Sequence, residues 1–293
     1  MNLHQLRMFA AVVSHEGFSR AAEAVHVSQP AVSKAVSELE HQLDMPLFER
    51  GAGQLRLTEA GAVLYDHART IFGLERAAIA DMRSLHELEG GHLTIGASMT
   101  IATYLMPPLL ARFLDRYPGI DVRIVSDNTE AIQDRLLRYE LDLAFVEGPV
   151  DDERVDVQHW RDDEMVILAN PRHPLLARPV LKPAELSDER WIIREEGSGT
   201  RAVTESLLHE AGIEPRRQLE VGSTGAVVES VAAGLGVAMI SIEAARDRIA
   251  SGRVGVLTLP GMKFTRPLYR LGLRRRAHGP AARAFVRIQE TER

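Results

Sequence analysis

Apolar residues recur every three or four positions through the first part of the chain, and the pattern breaks twice. Leu6, Phe9, Ala10 and Val13 lay one stripe along a helix over residues 3–13. Ala21, Ala22 and Val25 form a second, with Ser19 standing where an N-cap belongs. Val32, Val36, Leu39 and Leu43 form a third, opened by Ser28 as N-cap and Pro30 in the first turn. The second and third stripes are separated by no more than a tight corner, and the alanines let two helices cross closely. The outer face of the third carries Gln29, Ser33, Lys34 and Ser37, polar groups able to bond base edges and phosphates. Two helices in this relation form a helix-turn-helix, whose second helix enters the DNA major groove with its N-terminal residues leading. On spacing alone, an ordinary helical bundle fits as well.

The flanking pattern narrows this. Pro46-Leu47-Phe48-Glu49-Arg50 and Arg56-Leu57 are two short apolar pieces around a glycine-rich tip, Gly51 to Gly53, and predict a small β-wing with Arg50 and Arg56 beside the tip. From Thr58 to about Leu88 there is no proline. Leu64, Ala68, Ile71, Ala78, Met82 and Leu85 fall on alternating steps of four and three, with Glu75 the single polar intruder. That is a coiled-coil seam, best buried against a second copy of itself. Gly90-Gly91 ends the helix. Beyond it strand-like and helical segments alternate: strands at 92–97, 120–126, 141–146, 191–194, 218–221, 237–240 and 268–273, and helices at 129–139, 199–211, 226–233, 244–249 and 280–289. A further helix begins between Thr100 and Pro107. Near-continuous apolar strands alternating with helices imply parallel sheets covered by helices.

Composition removes several classes. With 45% hydrophobic and 26% charged residues, 293 residues suffice for two or three units with cores of their own. No apolar run reaches membrane-spanning length, and Met1-Asn2-Leu3-His4 shows no signal pattern, so the expected site of action is the cytoplasm. The absence of cysteine excludes disulfides and thiolate metal sites. The eleven histidines lack metal-ligand spacing, Ser198 lacks the nucleophile-elbow setting, and GSGT falls short of a P-loop, so no metal, cofactor or catalytic group is expected. The net charge of −6 tempers the DNA reading. Residues 1–57 hold five bases (Arg7, Arg20, Lys34, Arg50, Arg56) against six acids, which implies modest phosphate attraction per subunit.

The first sixty residues, through FSRAAE, VSQPAVS, LFER and LTEAG, resemble the N-terminal domain of LysR-type transcriptional regulators without a gap. AAGLGVAMIS, near residue 235, carries the resemblance onward. It implies a winged helix-turn-helix over 1–58, a dimerisation helix over 59–89 and an effector-binding domain over 92–293 like a periplasmic binding protein. Within the last, subdomain I takes 92–161 and 267–293 and subdomain II 162–266. Gln29, Pro30, Ser33 and Lys34 would face the major groove, Ser28 and Arg20 phosphates, and Arg50 and Arg56 the backbone or minor groove near the wing. A homodimer through the linker helix, assembled into a homotetramer that bends DNA, is implied, with no membrane partner. LDLAFVEG and WIIREEGSGTR resemble the branch of the family that controls carbon fixation and sulfur-oxyanion metabolism.

Ligands in open α/β sheets bind beyond the carboxyl ends of the strands, against helix N-termini that favour anions. Four such junctions carry hydroxyls, amides or glycine: Ser98-Met99-Thr100, Asn128-Thr129, Gly197-Ser198-Gly199-Thr200-Arg201 and Ser223-Thr224. Arg201 offers a bidentate partner for a carboxylate or oxyanion, with help from Arg194. Glu147, after an apolar strand, can orient a water or a ligand donor, or pair with an arginine. The expected effector is a small anion. The nine bases of Lys263–Arg293, Arg266 among them, read as a solvated face or an inter-subunit contact. The C-terminal half alone also suits a solute-binding protein, against which the N-terminal domain stands.

Overall fold

The computed structural model describes residues 1–49, 55–84, 91–274 and 276–291. By contact density the chain divides into two units, Met1–Ile79 and Ala80–Arg293. No helix among the described residues is long and apolar enough to cross a membrane.

In the first unit the three apolar stripes become α1 (Leu3–Ser14), α2 (Phe18–Ala24) and α3 (Gln29–Leu43). They close on one core in which Leu6, Phe9, Val12, Ala21, Val32 and Leu39 are sealed from solvent. Burying each large side chain contributes about 1.5–3 kcal/mol. Helix α2 opens on Gly17, whose carbonyl accepts from the Ala21 N–H at 3.0 Å, so Ser19 lies inside the first turn instead of capping it. The base of the wing is a Phe48–Leu57 antiparallel bridge, with Glu49 N–H donating to the Arg56 carbonyl at 2.9 Å. Its expected tip, Arg50 included, lies outside the described residues. Glu40 anchors the wing to α3 by accepting from the Leu47 N–H at 2.7 Å.

The long helix α4 (Glu59–Ser84) departs from the expected seam. Ala68 and Phe72 are buried in the core of α1–α3, with Leu64, Tyr65 and Ile71 packed beside them. The first half of the anticipated stripe thus covers its own unit. Glu75, the polar intruder, pairs with Arg7 of α1 at 2.6 Å, and the Arg7 guanidinium lies 4.3 Å from the Phe72 ring centre. Val63, Leu74, Ile79 and Met82 are the exposed large apolar groups of this helix. Leu85 lies outside the described residues.

The second unit is built on a seven-stranded sheet. Strands β1 (Gly91–Ser98), β2 (Ile120–Asp127) and β3 (Leu143–Glu147) are parallel, with β1 central. Between them run a π-helical turn (Ile101–Leu105), α5 (Met106–Arg116) and α6 (Thr129–Leu137). Pro107 and Pro108 sit in the first turn of α5, where no backbone donor is needed. The fifteen-residue β4 (Val155–Ala169) then crosses to the second half of the unit. That half holds α7 (Pro183–Ser187), the pair β5 (Arg190–Arg194) and β6 (Arg217–Val221), with α8 (Gly199–Glu210) between these strands. It continues through α9 (Thr224–Ala232), β7 (Ala238–Ser241), α10 (Ile242–Ala250) and β8 (Gly255–Leu257). Strand β9 (Phe264–Leu273) returns along β4 to pair with β3, and α11 (Pro280–Glu290) closes the first half. Because β9 runs antiparallel to β3 and β4, and β4 antiparallel to β7 and β8, the sheet is mixed, not purely parallel. The two halves have separate cores, one around Phe113, Phe145 and Phe285, the other around Trp191 and Ile167.

Candidate DNA-reading face and effector crevice

On α3 the apolar period leaves one side free. Ser28, Gln29, Pro30, Lys34 and Ser37 are exposed and Ser33 half-buried, while Val32, Ala35 and Val36 face the core. Gln29 Nε2 donates to Ser33 Oγ at 3.0 Å, so the two groups form one polar patch at the leading end of the helix. Ser28 is the N-cap by backbone position without a side-chain cap bond, which leaves its hydroxyl free of the helix. Arg20 is exposed on α2 and donates to the Glu16 carbonyl. Arg56 is exposed at the foot of the wing. The acidic residues of α3 are turned to internal work: Glu38 accepts from Gln5 and Glu40 holds the wing.

In the second unit the four junctions expected to carry a ligand meet where the two halves adjoin. Thr100 Oγ1 and Thr224 Oγ1, one from each half, lie 3.2 Å apart, and Arg194 Nη1 donates to Thr224 Oγ1 at 2.8 Å. Arg194 is buried, with Nη2 3.4 Å from the Met99 sulfur and a two-point pair to Glu195 at 2.7 Å. Burial, the largest single influence, raises the Glu195 carboxyl, but the Arg194 hydrogen bonds and charge, a backbone donor and Asn128 together outweigh it and hold the group below the usual carboxylate range. Asn128, Ser198 and Ser223 are N-caps of α6, α8 and α9, accepting from Ala131, Arg201 and Ala226 N–H. Thr129 donates to the Glu147 carbonyl at 3.0 Å.

Glu147 ends β3 with 2% of its surface exposed, accepting from Thr200 Oγ1 at 2.7 Å and from Ser98 Oγ. Of the roles open to it, pairing with an arginine is realised: Arg266 Nη1 stands 3.4 Å away. Arg266 corrects the sequence expectation. It belongs to no solvated face but is fully buried on β9, with Nε donating to Asp163 Oδ2 at 2.8 Å and Nη1 to Thr200 at 2.9 Å. Ser241 completes the cluster through Asp163 Oδ1 at 2.8 Å. Asp163, Ser241 and Arg266 escaped the sequence reading, whose strand began at Leu268, four residues late. Arg201 departs too: its guanidinium is taken by Glu205 and Glu220, each at 2.9 Å, and by the Arg194 carbonyl. An open cleft of about 380 Å³ lies at the starts of α6 and α8, lined by Thr129, Glu130, Gly197, Ser198 and Arg201 among others. No group of three or more metal-ligating side chains occurs among the described residues.

Two family models match the chain: "Bacterial regulatory helix-turn-helix protein, lysR family" over residues 3–62, and "LysR substrate binding domain" over 86–291. The chain belongs to the LysR family. It is a DNA-binding transcriptional regulator with an effector-binding domain, and its relatives are regulators, not enzymes. Among relatives similar to this LysR-family chain, the RuBisCO operon transcriptional regulator of Allochromatium vinosum is 34% identical, over 97% of this chain and 94% of its own. CfxR of Cupriavidus necator is 35% identical over 91% and 84%. Among solved structures, full-length CbnR complexed with target DNA shares the fold, with a TM-score of 0.75 over the whole of both chains at 21% identity. The Synechocystis CcmR regulatory domain in complex with 2-PG is 28% identical, covering 69% of this chain and 96% of its own, with a TM-score of 0.63.

Proposed function

We propose that this LysR-type regulator acts in the cytoplasm, reads DNA in two or more copies, and answers to a small anion held in the crevice of its second unit. The observation that carries the reading of the ligand is the convergence of four helix starts with buried hydroxyls. Ser98, Thr100, Thr129, Ser198, Thr200 and Thr224 are all nearly sealed, and they stand at the starts of the π-helical turn, α6, α8 and α9, the helix ends that favour an anion. Met99, Asn128, Ser223 and Arg194 border it, and Glu147 sets its polar limit. Arg201 contributes at the rim, where its ion pairs hold α8. The complex of CcmR with 2-PG and the RuBisCO regulators among the relatives support a phosphorylated or oxyanionic metabolite of carbon assimilation as the effector. A ligand that closes the two halves biases the assembly only by its different affinity for the two arrangements.

DNA contact falls to Gln29, Pro30, Ser33 and Lys34 in the major groove, to Ser28 and Arg20 on phosphates, and to Arg50 and Arg56 at the wing. The exposed apolar groups of α4 support a homodimer through that helix, and a tetramer is two such pairs on one DNA site. A melting-temperature screen of small anions on the full chain tests the ligand reading. An anion that raises the melting temperature in wild type but not in Thr100→Val supports it; no anion doing so removes the crevice as an anion site.

A further inference from the structure

We propose that Arg266 Nη2 is a donor for an acceptor oxygen of the effector, so that Arg266 both reads the ligand and links it to the two strands joining the halves of the second unit. This rests on the anionic effector proposed above. Every other nitrogen of the guanidinium has an acceptor: Nε has Asp163 and Nη1 has Thr200. Nη2 is the buried side-chain polar atom left without a partner among the described residues. An unsatisfied buried donor is costly, and in native structures such a donor almost always meets an acceptor. Guanidinium geometry sets Nη2 between the direction of Asp163 and that of Thr200, beside the start of α8.

The charge balance permits an anion there. Glu147 and Asp163 supply two negative charges and Arg266 one positive. Helices α6, α8 and α10 all begin at this cluster: Thr129 bonds the Glu147 carbonyl, Thr200 its carboxylate, and the α10 cap Ser241 bonds Asp163. At about half a charge for each helix start, the three offset the excess carboxylate and leave the cluster near neutral or slightly positive. Arg266 and Asp163 are also directly paired across β9 and β4, the two strands that pass between the halves. An oxygen drawn to Nη2 therefore pulls on the strands about which the halves turn.

The test uses the full chain and two probes, inorganic orthophosphate and sulfate, titrated by calorimetry into wild type, Arg266→Lys and Thr224→Val, below the melting onset of each. Lysine keeps the charge between Asp163 and Glu147 but gathers its donors on one nitrogen and lacks the fork's second terminal nitrogen. At least tenfold weaker binding in Arg266→Lys, about 1.4 kcal/mol, supports the proposal. Unchanged affinity in Arg266→Lys with weakened binding in Thr224→Val overturns it while leaving the crevice reading intact; a resident water at Nη2 would give this result. Failure of both probes to bind wild type removes the oxyanion reading and this inference together. A crystal structure grown with orthophosphate asks the same question without substitution. An anion oxygen within hydrogen-bond distance of Nη2 supports the assignment, and a water there overturns it.

Discussion

Gly199→Ala is expected to loosen the second unit from within its crevice. A methyl at this position would lie 1.9 Å from the Glu147 carbonyl oxygen and 2.5 Å from Thr129 Oγ1. Neither neighbour is free to retreat. The Glu147 carbonyl accepts the Thr129 hydroxyl, and Glu147 is in register with Leu268 across β3 and β9. Restoring ordinary contact requires the end of β3 and the start of α8 to part by about 1.5 Å. The next residue, Thr200, would then lose its 2.7 Å hydrogen bond to the buried Glu147 carboxylate. Overpacking costs about 1–3 kcal/mol, and losing a hydrogen bond to a charged group about 1.5–3. Taking about 3 kcal/mol in total, the melting temperature falls by roughly 6–12 °C for a unit of this size. Scanning calorimetry of the full chain measures it, with Gly225→Ala as control. Gly225, in the first turn of α9, has open space around its Cβ position, so alanine there meets no neighbour. A Gly199→Ala transition within about 2 °C of wild type, equivalent to less than about 1 kcal/mol, would refute the tight approach.

Other perturbations separate the units. Replacing Gln29 and Ser33 together by alanine should abolish sequence preference, each lost base contact weakening discrimination by about 1–3 kcal/mol, while sedimentation shows the oligomer intact. Preference retained in a selection from random duplexes would mean that another face of α3 reads the bases. Leu74→Glu, at a site half exposed on α4, should weaken self-association by roughly two orders of magnitude, since each of two copies loses about 1.5 kcal/mol of burial. Light scattering that finds the same mass at micromolar concentration would count against α4 as the contact. The depressed Glu195 carboxyl gives stability that is present above the ordinary glutamate range and lost as pH falls through and below it. Glu195→Gln should therefore melt with a shallower pH dependence on the acid side; identical slopes would show that the Arg194 pair contributes nothing.

The three helices of the first unit were legible because each carries a complete apolar stripe within fifteen residues; of the start signals, Ser28 marks the first residue before α3, whereas Ser19 falls inside α2. The βα alternation was legible for the same local reason, down to Pro107 and Pro108 at the start of α5. What escaped depends on distant partners. Nothing in VDVQHWRDDEMVILA shows that it is one strand, because its polar half is covered only when β9 lies beside it. Arg266 looks like any base of a charged C-terminal stretch until Asp163, 103 residues earlier, is brought opposite. Glu75 breaks a seam until Arg7, 68 residues away, explains it. Part of the seam itself was misread, since a period of 3.6 gives the face of a helix but not which neighbour takes it. Of the crevice, the capping hydroxyls were legible and the buried ion pairs were not. Arg201, the arginine that sequence favours, is spent on Glu205 and Glu220, while Arg266 stands inside.

The clamp of Arg7 between Phe72 and Glu75 makes the rod and the reading head a single crank. Helix α4 cannot swivel on α1 without breaking that clamp, so a tilt imposed on the rod turns the α3 tip undamped. Across 26 residues, roughly 39 Å, a tilt of about 5° moves the near end by about 3.4 Å, the rise of one base pair. In the proposed dimer, small angular changes between the two rods would become whole steps along the duplex, and loosening the crank with Glu75→Ala, which leaves Ala68 and Phe72 in the core, should blur the footprint spacing of the two heads without weakening either one.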